Sequence, residues 1–396
     1  MRNTLFRIIA VLISVLITLA LTEIFLWLLF PLPFGKSVQV TLEQDLPGLT
    51  PVITYDRNEI GLRSISMRSK EKPVDTFRIL CLGASTTDQP TQNTADTWSG
   101  ILETMLNQKY VDTKFHIEIG AYGRGGDKIL HRFLWAVKNI PDLKPDMVIL
   151  LEGINDLCFN GGPEYFYLGF RNQLNAYARR SETDDEMYVE GFLGQDMTSC
   201  VNLRKISQIT RRAFNLKRNL MIRKATHTGK LKEWHSASMP ILRQEYQAYP
   251  FREAVERRND PVREFQDGIH AMTAALKADD IPGLVLSQPA LWKPEMPLEE
   301  QGLLWFWVET PEGRVRASTA WLRNELDRYN QIQKDASKKN QLVFFDLAEH
   351  VPRTTEMFFD DCHFTDKGSR FVAETLFPVV NKMIEDILAK KANPEQ

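Results

Sequence analysis

Apolar residues fall along this chain of 396 residues in three kinds of run. The first is "IIAVLISVLITLALTEIFLWLLF", Ile8 to Phe30, which carries a single charge, Glu23. A helix needs about 20 apolar residues to cross the hydrocarbon core of a bilayer, so residues 8–30 are expected to form a transmembrane anchor. The second kind is short: "FRILCL" (Phe77 to Leu82), "FHIEI" (Phe115 to Ile119), "MVILL" (Met147 to Leu151), "GLVLSQ" (Gly283 to Gln288) and "LVFFDL" (Leu342 to Leu347). Such runs, closed by turn or polar residues, suit strands buried on both faces of a parallel sheet. The third kind has helical spacing. Trp98, Ile101, Leu102, Met105 and Leu106 share one face, as do Phe371, Val372, Leu376, Val379, Val380, Met383, Ile387 and Leu388. Strands alternating with amphipathic helices predict an α/β fold, a three-layer α/β/α sandwich with a parallel sheet and right-handed crossovers.

The same pattern divides the chain. Residues 1–7 form a short N-terminus, 8–30 the anchor, 31–73 a polar tether and irregular lead-in, and 74–390 the main domain. Residues 152–282 separate the third strand from the fourth, far more than a crossover needs, which predicts a large, mainly helical insertion at about 160–280. Within it, Ser181 to Asp196 holds six acids and no base, and Leu203 to Lys232 ten bases and no acid. Ile206, Ile209, Ala213, Leu216 and Leu220 step by threes and fours through the basic stretch, as an amphipathic helix would; it suits either an anionic surface or a solvated face balanced by the acids before it. Arg2 and Arg7 precede the span, so the N-terminus is expected in the cytoplasm and the main domain on the exported, periplasmic or extracellular side.

Charge and cysteine content remove several classes. With 49 basic and 51 acidic residues the chain has a net charge of -2, so no global excess points to nucleic acid. Cys81, Cys158, Cys200 and Cys362 show neither CxxC spacing nor the density of a disulfide scaffold, although Cys158 and Cys362 are candidates for a pair. The seven histidines lack HxxxH spacing, the glycines of "GAYGRGGD" fail GxGxxG, and no Walker sequence occurs. No metal and no cofactor is implied. Oligomeric state is left open.

Chemistry gathers where a parallel sheet concentrates it, in the loops at the carboxyl ends of the strands. Those loops read "LGASTTDQ", "GAYGRGGD", "EGINDL" and, after the last strand, "FFDDCHFTDKG". Singly each is ordinary: Ser85 suits a helix cap, Asn155 and Asp156 an Asx turn, His363 a structural role. In order, a serine, a glycine turn, an asparagine and a late Asp-x-x-His supply a nucleophile, oxyanion donors, a base and an orienting acid. The aromatic run "LLWFW", Leu303 to Trp307, is a candidate lining for the same cleft.

With these residues in this order, the chain resembles the SGNH hydrolases, also called the GDSL family, over residues 77 to about 385. The resemblance implies a flavodoxin-like sandwich and a serine esterase that works through an acyl-enzyme. Gly83, Ala84 and Ser85 match the first block, making Ser85 the nucleophile; Ala84 stands where the family usually has Asp. The second-block glycine falls on Gly125, with Gly123 as the fallback. Gly153, Ile154, Asn155 and Asp156 match the third block and make Asn155 an oxyanion donor beside the N–H groups of Ser85 and Gly125. Asp360 and His363 match the last block as orienting acid and base, with Asp361 one position off. The expected substrate is an O-acyl ester, acetyl or another short acyl group, of an exported glycan or lipid. Transfer of the acyl group to an exported polysaccharide, and a non-catalytic polymer-binding surface module, are the other functions open at this point.

Overall fold

The computed structural model of the protein describes residues 2–29, 38–58, 60–158, 234–256 and 259–392. The acidic stretch, the basic stretch and Cys200 lie outside the described residues. Helix α1 (Arg2–Leu29) comes first, followed by an antiparallel pair, β1 (Val38–Glu43) and β2 (Val52–Arg57). The main domain then alternates: β3 (Thr76–Ala84), α2 (Ser85–Asp88), α3 (Trp98–Lys109), β4 (His116–Arg124), α4 (Ile129–Leu143), β5 (Met147–Leu151) and α5 (Ile154–Cys158). Beyond the undescribed segment come α6 (Trp234–Ala248), β6 (Phe251–Arg252), α7 (Asn259–Ala278), β7 (Gly283–Leu286) and α8 (Leu298–Gln301). The chain continues with β8 (Val308–Thr310), β9 (Gly313–Ala317), α9 (Thr319–Lys339), β10 (Val343–Phe345), α10 (Leu347–His350) and α11 (Asp366–Ala392).

Five strands form one parallel sheet in the order β10-β7-β5-β3-β4. β5 is buried at all five positions and β3 at all but its first, as expected of apolar runs covered on both faces. The step from β3 to β4 runs one way along the sheet and the later steps run the other way. Right-handed crossovers therefore send α3 to one face and α4, α7 and α9 to the opposite one. Packing agrees: α11 lies on α3, and α7 lies on both α4 and α9. The α7–α4 approach depends on Gly268, where a Cβ would stand 2.6 Å from Ile129 Cγ2. The order is the flavodoxin-like one, with its reversal at β3, so the loops after β3, β4 and β5 open side by side.

Three expected boundaries shift. The lead-in expected to be irregular forms strands from Val38: Ile53, Tyr55 and Arg57 alternate inward on β2, Leu42 pairs with Ile53 across the ladder, and Leu62 and Met67 join the main core. Arg63 also bonds the backbone of Ala121 in both directions, which ties this segment to β4. In the expected insertion, α7 proves to be the crossover helix before β7, with Phe265 against Tyr329 of α9. For the anchor, α1 includes residues 8–29 of the predicted span and exposes Phe6, Val11, Leu16, Ile17 and Leu21. Among the described residues, however, no helix is long and apolar enough to cross a membrane.

Candidate active site

Ser85 is the first residue of α2, directly at the carboxyl end of β3, and only 5% exposed. Two glycines let α2 sit this close to the sheet. A Cβ on Gly83 would meet Thr87 Oγ1 at 2.0 Å and the Leu151 carbonyl at 2.7 Å; one on Gly123, the partner of Gly83 across the β3–β4 ladder, would meet the Ala84 carbonyl at 2.3 Å. The far end of α2 is held by buried Arg63, which donates to the carbonyls of Asp88 and Gln89 at 2.5 Å each and of Gln92 at 2.6 Å. Arg57 forms a buried ion pair with Asp88 at 2.9 Å and donates to the Gly123 carbonyl. The serine therefore stands on a short helix fixed at both ends.

The opposing group comes from the loop between α10 and α11. Phe358 and Phe364 bridge, and Phe359 N–H bonds the His363 carbonyl, closing the loop on itself. Inside it, Asp360 Oδ1 accepts the N–H groups of Cys362 and His363 at 3.0 and 2.8 Å, an Asx-type turn. Asp360 Oδ2 lies 2.7 Å from His363 Nδ1, and His363 Nε2 lies 2.7 Å from Ser85 Oγ. The structure thus joins Ser85, His363 and Asp360 in one line of hydrogen bonds, from residues 278 positions apart.

The two adjacent acids are tuned in opposite directions. Burial by itself pushes the Asp360 carboxyl up, but the charge of His363 and the surrounding donors hold it well below the usual carboxylate range. Asp361 is raised to about 7, first by burial and then by the charge of Asp360, against donors that pull the other way. Those donors are Trp292 Nε1 at 2.8 Å on Oδ1, and the backbone N–H groups of Trp305 and Phe306 at 2.8 and 3.2 Å on Oδ2. Trp305 Nε1 donates in turn to Asp360 Oδ2 at 2.9 Å. The ring of Trp305 lies parallel to that of His363 to within 10°, with Phe359 at 19° and Phe306 edge-on.

The remaining expected residues have their own places. Asn155 is buried at the start of α5, just past the end of β5, and its Nδ2 donates to the Asp127 carbonyl at 2.9 Å. Gly125 sits in a turn closed by Asp127 N–H on the Arg124 carbonyl. A Cβ at Gly125 would meet nothing within 4 Å, whereas its neighbour Gly126 has φ +76 and needs glycine on backbone grounds. Cys158 and Cys362 are both free thiols, so the expected candidate disulfide is not formed. Burial raises each thiol well above its ordinary value, which keeps them protonated. Asp360, Cys362 and His363 bring three ligand-type atoms within 4.8 Å, but His363 spends both ring nitrogens on Asp360 and Ser85, and a protonated thiol is a poor metal ligand. A cavity of about 530 Å³ lies elsewhere, bounded by Leu157, Val262, Val308, Trp321 and Tyr329, and none of the three linked residues lines it.

The sequence offered Trp305 only within a run lining the cleft, and Asp361 only as the neighbour of the orienting acid. Their signals were present in the "LLWFW" run and the Asp-Asp doublet, but neither states that the two segments meet.

Among solved structures, the chain is similar to the acetyl xylan esterase AlAXEase, with 14% identity over 77% of this chain and 100% of that one and a TM-score of 0.40. It is similar also to Axe2, an acetylxylan esterase from Geobacillus stearothermophilus, with 10% identity over 76% of this chain and 93% of that one and a TM-score of 0.39. TesA matches with 10% identity over 76% of this chain and 96% of that one, with a TM-score of 0.37. No curated protein matches. The model of the GDSL-like Lipase/Acylhydrolase family matches residues 81–300, more than half of the chain and the part that carries Ser85 and Asn155. The chain belongs to that family, and is a serine hydrolase acting on ester bonds.

Proposed function

We propose that the protein removes a short acyl group, acetyl foremost, from an O-acylated glycan or lipid on the exported side of a membrane, with Ser85 as nucleophile. The observation that carries the catalytic roles is the unbroken relay from Ser85 Oγ through both nitrogens of His363 to Asp360. His363 takes the serine proton during attack on the ester carbonyl and returns it to the leaving alcohol; Asp360 holds the imidazole in one tautomer and stabilises its charged form. The resulting acyl-enzyme is opened by water activated by the same imidazole. The oxyanion is met by the N–H groups of Ser85 and Gly125 and by Asn155, whose amide has a second hydrogen beyond the one given to Asp127.

Two observations support the finer points. Ser85 and His363 are nearly enclosed, and Trp305, Phe306 and Phe359 crowd the imidazole, which favours a small acyl group. The outward apolar residues of α1, with Arg2 and Arg7 before the apolar run, support a single-pass anchor with its N-terminus in the cytoplasm. The test uses the detergent-solubilised full chain on 4-nitrophenyl esters from acetyl to octanoyl, and on an acetylated glycan with and without an unacetylated glycan acceptor. Turnover should fall as the acyl chain lengthens, with free acetate as the product. Fastest turnover on octanoyl esters would overturn the short-acyl assignment; acetyl recovered on the acceptor would make the protein a transferase.

A further inference from the structure

Segment 291–306, which contributes no member of the serine–histidine–aspartate relay, grips the loop that contributes two. Asp361 takes Trp292 Nε1 on one oxygen and the N–H groups of Trp305 and Phe306 on the other, and its backbone carbonyl takes Leu291 N–H at 2.8 Å. Arg243 of α6 adds a bridge, donating to the carbonyls of Leu303 and Phe359 at 3.2 Å each. What this grip delivers is one indole. Trp305 Nε1 ends 2.9 Å from the Asp360 oxygen that also faces His363 Nδ1.

We infer that Trp305, set in place by Asp361, is a positioning residue of the hydrolysis: its indole N–H fixes Oδ2 of Asp360 where that oxygen accepts the hydrogen bond of His363 Nδ1–H. The inference rests on the roles proposed above for Ser85, Asp360 and His363. The other donors to Asp360, from Cys362 and His363, belong to the same loop and move with it. Trp305 supplies a donor from a separate segment 55 residues away in sequence, so it references the carboxylate to the body of the molecule. A hydrogen bond to a charged group is among the stronger kinds, and a small displacement of a general base lowers rate much more than it lowers binding.

The experiment measures hydrolysis of 4-nitrophenyl acetate by the solubilised full chain in the parent, Trp305→Phe, Asp360→Ala and the double variant. Trp305→Phe should lower kcat about tenfold, in line with a lost charge-assisted hydrogen bond, and leave KM within about twofold. Because Trp305 acts through Asp360, the double variant should be no slower than Asp360→Ala alone. An unchanged kcat in Trp305→Phe, or losses that multiply in the double variant, would overturn the inference. Should Trp305→Phe fail to fold, the benzothienyl analogue of tryptophan at position 305 keeps the ring and removes only the N–H; the same losses are expected of it. Labelling of Ser85 by a fluorophosphonate in the parent protein separates this inference from its basis. A labelled parent with an indifferent Trp305→Phe defeats the inference alone, and an unlabelled parent defeats the catalytic roles.

Discussion

Asp360 and Asp361 are neighbours in sequence and equally buried, yet only one is held as a strong acid. Partners explain the difference. Asp360 faces an imidazole that gains charge, and Asp361 faces neutral N–H groups and the charge of Asp360. Asp360→Asn should therefore lower kcat by about 10³ or more, since an amide places the wrong group against the imidazole. Asp361→Asn should cost at most about tenfold in kcat and register mainly as a lower melting temperature, because it loosens the segment that carries Trp305. Steady-state kinetics beside thermal melts check both; a larger kcat loss at 361 than at 360 would exchange their roles. The Asp-x-x-His spacing named Asp360 and His363 from sequence alone. Trp305 was not legible, since no local pattern encodes a contact made across 55 residues.

Among the elements, β3, α2 and β4 behave as one unit, because the glycine pair Gly83 and Gly123 lets a helix rest on two strand ends. Gly83→Ala places a methyl group against Thr87 and the Leu151 carbonyl, and α2 must lift to admit it. The variant should lose about 2 kcal/mol of stability, as overpacking does, and at least tenfold in kcat as Ser85 moves from His363. Denaturant melts and kinetics test it, and full activity would show that α2 tolerates the displacement. The five sheet strands were legible because each is a short apolar run, and β3 and β5 are buried along nearly their whole length. The β1–β2 pair was not, since its inward residues Ile53, Tyr55 and Arg57 alternate with polar ones in a segment rich in turn residues. α7 ends a short loop before β7 and belongs to the alternation of the sheet, which the long interval between β5 and β7 does not reveal.

For the molecule as a whole, sheet order brings the loops after β3, β4 and β5 together at one edge, and the loop before α11 closes over them. Burying the carboxylates this requires has a consequence for pH. Glu103, on α3, is raised from 4.5 to about 7, chiefly by burial; Asp156 and Asp361 reach about 7 and Glu152 about 8. A raised pKa means that the folded state holds the proton more tightly than the unfolded state. These groups therefore give their full contribution below their ordinary values and lose it as pH rises through 7 to 8. Asp360 has the opposite sign, contributing above its ordinary value of 3.8 and losing it on acidification. Melting temperature should fall between about pH 5 and pH 8, and less steeply in Glu103→Gln, which has no charge to bury. Equal slopes in the two proteins would show that Glu103 does not titrate in this window.

The convergence of Ser85 and His363 is the claim on which the catalytic account stands. It is tested most directly by treating the solubilised full chain with a fluorophosphonate probe and mapping the modified residue by peptide mass spectrometry. The adduct should fall on Ser85, vanish in Ser85→Ala, and form far more slowly in His363→Ala. Equal labelling of the parent and Ser85→Ala, or an adduct on another residue, would contradict the account.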